Sequence, residues 1–153
     1  MAGYTVQRTQ TIGAAPERIF PLLVDLHEWR QWSPWEDLDP DLQREYTGAE
    51  RGVGAKYAWS GNRKAGKGTM EVAEVSEPER VAVNVTFEKP MKSSSTSVLT
   101  LEPRGDATTV TWTMTGPHSL LSRIAGPLGL MDRFIGKDFE KGLTTLKAVC
   151  EKP

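Results

Sequence analysis

LMDRFIGKDFEKGLTTLKAVC, residues 130–150, is the stretch that decides the architecture. Its apolar residues fall at Leu130, Met131, Phe134, Ile135, Phe139, Leu143, Leu146, Val149 and Cys150. Most steps are of three or four, the period of one face of a helix. Charged residues (Asp132, Arg133, Lys137, Asp138, Glu140, Lys141, Lys147) fill most of the remaining positions. A helix of about twenty residues spans roughly 30 Å, the width of a small domain. It cannot bury its stripe by itself, so something wide must wrap it. Gly136 and Gly142 sit inside the run, where each costs roughly 1 kcal/mol against Ala. A small residue there suits a close approach between helix and wrapper.

Working outward, the preceding residues read as that wrapper. Residues 4–12 are Thr-rich and alternate, with Tyr4, Val6, Arg8, Gln10 and Ile12 on one side. Pro16 opens a helical stretch that Pro21 interrupts. Trp29 and Trp32 are one helical turn apart before Pro34 ends the turn. These tryptophans read either as a plug at one end of the core or, for Trp32 and Trp35, as a pocket wall. A polar strand is expected over 41–47. Tyr57 and Trp59 then alternate with Lys56 and Ala58. Gly68, Met70 and Val72 face opposite Thr69 and Glu71, and the apolar phase slips between Val72 and Val75. Val81, Val83, Val85 and Phe87 form the clearest alternation. Ser97, Leu99 and Leu101 follow, then Val110, Trp112 and Met114. Short turns between consecutive strands make them antiparallel. The expected fold is α+β: about seven antiparallel strands, short helices after the first, and one long helix last. The inner face of such a sheet must be covered by a helix.

The bulk composition excludes several classes. With 153 residues, the chain reads as one domain over 1–153. Its 19 basic and 20 acidic residues leave a net charge of −1 with no basic block, so nucleic acid is not an expected partner. No apolar run is long enough to span a bilayer. The first residues run straight into strand-like alternation rather than a signal peptide, and one cysteine, Cys150, fits a reducing cytoplasm. The residues leave the oligomeric state open.

Strand, broken helix, six strands and long last helix together resemble the START-like helix-grip superfamily (SRPBCC), in particular its polyketide cyclase/dehydrase and lipid-transport branch. The residues that carry the resemblance are IGAAPERIFPLLVDLHEWRQWSPWE (12–36), GVGAKYAWSGN (52–62), GKGTMEV (66–72), FEKP (87–90), TTVTWTMTG (108–116) and IGKDFEKGLTTLK (135–147). The resemblance implies a curved sheet wrapped around the last helix, with a cavity between them for a hydrophobic small molecule. Residues placed inward by alternation are then the candidates to line it: Tyr57, Trp59, Met70, Val72, Val85, Phe87, Leu99, Trp112 and Met114, with Trp35 added from the tryptophan cluster. Met131, Ile135 and Phe139 would join them from the helix. The inward polar groups are Arg8, Gln10 and Ser97. A filled core is the bland alternative for the same list.

Catalytic chemistry is sparse. His27 and His118 have no cysteine or carboxylate cluster at metal-ligand spacing, and no nucleophile elbow surrounds a serine. No cofactor or metal is expected, and no catalytic residue is assigned. Alternation puts Glu71 on the outer face. The functional expectation is therefore binding of a lipid-like, aromatic or polyketide-like molecule. The rivals are a polyketide cyclase, aromatase or dehydratase-type enzyme, favoured if Arg8, Glu71 or His27 points inward, and a cochaperone-like interaction module.

Overall fold

The computed structural model describes residues 3–34, 39–62, 66–89, 93–117 and 130–152. The alternating segments form β1 (Gly3–Ile12), β2 (Gln43–Gly48), β3 (Ala55–Ser60), β4 (Lys67–Ser76), β5 (Arg80–Lys89), β6 (Ser93–Arg104) and β7 (Ala107–Pro117). All neighbours are antiparallel, in the order β1-β7-β6-β5-β4-β3-β2. Strands β2 to β7 follow one another as a meander. Strand β1 instead pairs with β7, so the chain must cross from one edge of the sheet to the other.

The crossing is made by helical segments whose breaks are written in the sequence. Pro16 opens α1 (Pro16–Ile19) and Pro21 opens α2 (Pro21–Val24), so the two prolines split the expected helix into two single turns. A 3₁₀ helix follows over Leu26–Gln31, its first turn capped by Asp25, which accepts from the His27 N–H at 3.0 Å. Between β6 and β7 the chain reverses in two residues, and Gly105 takes the positive φ of 66° that this turn needs. The apolar phase slip in β4 is a β-bulge, where the register against β5 shifts between Val72 and Glu74. Glu71 lies before it, exposed and opposite Lys56 and Asn84 on the outer face, as alternation places it.

The last helix, α3 (Leu130–Cys150), crosses the inner face. Phe139, Leu143, Leu146 and Cys150 are buried, and they are the stripe read from the sequence. Two glycines set its approach. A Cβ on Gly142 would stand 2.9 Å from Pro34 Cδ and 3.2 Å from Trp112 Cζ3, so the helix lies directly on Trp112. Polar contacts tie the same helix to β1 and the turn after it. Arg8 Nε donates to Glu140 at 2.8 Å, the Lys147 ammonium donates to the Thr11 carbonyl at 3.2 Å, and the Gly13 N–H donates to Glu151 at 2.7 Å. The architecture is the helix-grip arrangement that the resemblance implies. Residues 119–125, whose sequence alone suggests a short helix interrupted by Gly126-Pro127, lie outside the described residues.

Candidate functional site

Strand pairing arranges the inner face into cross-strand rows. One runs Arg8, Trp112, Leu99, Val81; the next runs Val6, Met114, Ser97, Val83, Val72. The following row is Ser95, Val85, Met70, Tyr57, Tyr46, and the last is Phe87, Gly68, Trp59, Arg44. Alternation along each strand therefore brings Tyr57, Trp59, Met70, Val72, Val85, Phe87, Trp112 and Met114 onto one face. Among the helix candidates, Phe139 is buried and Ile135 packs half-buried against the core. Trp35 lies outside the described residues, as does the side chain of Met131.

The face has two halves of different character. On the β1–β7 side the rings are closed in. Trp112 and Phe139 stack face to face, with centroids 3.9 Å apart and planes 6° from parallel. Trp32 meets Trp112 edge-on at 5.3 Å, and Trp29 packs on Trp32 at 4.6 Å. The buried indole N–H groups of Trp29 and Trp32 donate to the carbonyls of Leu23 and Leu22 at 2.9 and 2.8 Å. All four rings are at most 3% exposed. This half is filled core, so Trp29 and Trp32 are the plug rather than a wall.

On the β2–β5 side a file of rings runs along the sheet. His27 stacks on Tyr46 at 4.1 Å, Tyr46 on Tyr57 at 5.0 Å and Tyr57 on Trp59 at 5.9 Å, and Trp59 meets Phe87 edge-on at 5.4 Å. Gly68 makes room for this file. A Cβ there would stand 2.6 Å from Trp59 Cη2 and 2.5 Å from the Thr86 carbonyl oxygen, so the benzo edge of the indole packs against a bare backbone. Tyr46, Trp59 and Phe87 are only partly buried, unlike the closed cluster, and polar groups rim the file at His27 and Arg44. Tyr46 and His27 complete the file, yet the polar look of residues 41–47 hid Tyr46 from sequence reasoning. Alternation of Arg44 and Tyr46 against Gln43 and Glu45 is the signal that finds it.

The charged candidates are engaged elsewhere. Arg8 points inward but is held by Glu140 and by the Gln7 carbonyl at 2.7 Å. His27 sits at the rim, its Nδ1 2.8 Å from Asp25. Among the described residues no group of three His, Cys, Asp or Glu side chains converges as a metal donor set. Two surface hollows lie away from the inner face. One of about 390 Å³, beside α1 and α2, is lined by charges of both signs including Arg18, Asp25, Glu28 and Arg51. The other, of about 310 Å³, is flanked mainly by outward residues of β2–β4 such as Lys56, Thr69 and Glu71, with Tyr57 and Met70 also at its wall.

A family model described as polyketide cyclase/dehydrase and lipid transport matches residues 4–151. The chain belongs to that family. Solved structures place this chain among helix-grip folds. A protein from Thermobifida fusca is 22% identical, with a TM-score of 0.70 over 95% of this chain and 92% of its own. A Chromobacterium violaceum protein is 16% identical, with a TM-score of 0.69 over 97% and 98%. A protein from the dynemicin biosynthetic locus is 16% identical, with a TM-score of 0.67 over 97% of this chain and 47% of its own. At these identities the likeness is one of fold. No curated protein matches the chain. Among the described residues, no helix of this family member is long and apolar enough to cross a membrane.

Proposed function

We propose that this chain binds a hydrophobic small molecule, lipid-like, aromatic or polyketide-like, between the inner face of the sheet and α3. The observation that carries the reading is the half-open file of rings, in which Tyr46, Trp59 and Phe87 stay partly accessible around the buried Tyr57. Rings that serve packing are closed over, as at Trp112 and Phe139. Rings left partly accessible, in a row and rimmed by polar groups, offer an apolar floor with a wet margin, the composition of small-molecule sites. Family membership supports the same reading. Arg8 points inward but is engaged by Glu140, and His27 ends the ring file at its rim, bonded to Asp25, while among the described residues the strand rows hold no carboxylate; this favours holding a ligand over acid–base turnover.

The test is titration with the neutral dye N-phenylnaphthylamine, followed through dye emission and quenching of tryptophan. Saturable binding that weakens at least tenfold in Phe87→Ala and Trp59→Ala, with both variants still folded by circular dichroism, supports the site. Wild-type protein that binds no dye, or variants that bind it unchanged, would overturn it. Native mass spectrometry of freshly purified protein, with organic extraction, then names the class of any molecule carried.

A further inference from the structure

We infer that Ser95 and Ser97 on β6 are the polar anchor of the inner face and select a ligand bearing an uncharged oxygen, a hydroxyl or a carbonyl, on an apolar body. This rests on the binding reading above. Both serines face inward, Ser97 between Met114 and Val83 and Ser95 beside Val85. Ser95 is 8% and Ser97 1% exposed, and among the described residues neither Oγ has a hydrogen-bond partner.

A buried hydroxyl without a partner destabilises a fold, because it loses water and gains nothing in return. The neighbouring inward positions on β5 show what packing prefers here, since Val81, Val83 and Val85 are all valine. Serine is a poor strand former and fills less volume than valine. Two successive inward serines therefore leave two donors and two acceptors on an otherwise apolar surface, about 7 Å apart along the strand. A ligand oxygen seated over one of them would satisfy that hydroxyl, and a second polar atom of the same ligand would meet the other. From Ser95 the same row leads across Val85 and Met70 to Tyr57, three strand spacings or roughly 14 Å. An apolar body held at its oxygenated end by β6 would thus reach the file of rings.

The anchor favours a neutral group. The side chains flanking the two hydroxyls are Met114, Val83 and Val85, which cannot compensate a charge. The Arg8 guanidinium, two rows from Ser95, is engaged by Glu140.

The experiment compares naphthol with methylnaphthalene, which differ in the hydroxyl, on the wild type and on a Ser95→Ala/Ser97→Ala double variant. Affinities come from calorimetry and tryptophan quenching. The wild type should prefer naphthol by roughly tenfold, the scale of one buried hydrogen bond. The double variant should lose that preference while binding methylnaphthalene as before. Its melting temperature without ligand should be equal to or above that of the wild type, because the hydroxyls have no partner to lose. A naphthol preference that survives in the variant overturns the anchor and leaves the binding site standing. A ligand-free variant that melts several degrees lower also overturns it, since the hydroxyls would then already be bonded within the fold. Binding of neither compound to the wild type overturns both readings.

Discussion

The guanidinium of Arg8 occupies the space that a side chain at position 136 would fill: a Cβ on Gly136 would stand 2.5 Å from Arg8 Cζ and 3.0 Å from Nε. The glycine that weakens α3 is what lets the cation of β1 reach Glu140 across the helix. Gly136→Ala should therefore gain about 1 kcal/mol of helix propensity and lose a similar amount by displacing Arg8. In an Arg8→Ala background the same change should stabilise by the full 1 kcal/mol or so. A double-mutant cycle by urea unfolding checks this. Strict additivity of the two changes would show that the close approach carries no energy.

Gly68→Ala meets a harder obstacle. The methyl would strike the Trp59 ring and the Thr86 carbonyl oxygen, and a backbone atom in a paired strand cannot swing aside. A loss of about 1–3 kcal/mol is expected, the usual cost of overpacking. Thermal melting measures it, and Trp59 emission should shift to the red as the indole lifts away. An unchanged melting temperature would mean the ring has another place to go.

Acid should loosen the end of α3. Lys147 and the Gly13 N–H both donate to Glu151 and hold its carboxyl below the ordinary value of 4.5. The folded form thus keeps its charge to lower pH than the unfolded form. The stabilisation is fully present above about 4.5 and is lost as pH falls through the lower folded value. Glu151→Gln should melt below the wild type at neutral pH, and the two curves should converge in acid. Parallel curves at all pH values would rule out this linkage.

Burial pushes the Cys150 thiol up to about 11 from 9.0. At pH 8 roughly one thiol in a thousand would be ionised, and it is covered besides. Labelling by a disulfide reagent should proceed only through unfolding, so its rate should rise with urea in step with the unfolded fraction. Fast labelling in native buffer would contradict the packing. The same shift means stability is full below pH 9 and declines as pH rises toward 11.

Much of this was legible before any coordinates, because burial on a strand has period two and on a helix 3.6. Val85, Phe87, Trp112 and Met114 announced their face through their neighbours, and the slip between Val72 and Val75 announced the bulge. What periodicity cannot state is which distant residue a side chain meets. Arg8 read as a free inward cation because Glu140, its partner, is far along the chain. Gly136 read as generic closeness for the same reason. Ser97 was visible as inward and polar, and the phase of Ser97, Leu99 and Leu101 extends back to Ser95, but a serine among serines and threonines at the start of its run gives no apolar signal of burial. The difference between the closed rings at Trp112 and the half-open file at Trp59 depends on coverage, a property of the whole assembly rather than of any one strand.

The placement of β1 has a consequence for the order in which this protein is made. Residues 3–12 leave the ribosome before every other strand of the sheet, yet their hydrogen-bonding partners are residues 108–117 and their apolar cover is the helix that ends at Cys150. The β2-to-β7 meander can zip hairpin by hairpin as it emerges, but the first strand must wait as an open edge until β7 is present. Closing the sheet then depends on a loop of about a hundred residues, the slowest kind of contact to form. A nascent chain cut short of residue 108 has no native place to put its own beginning.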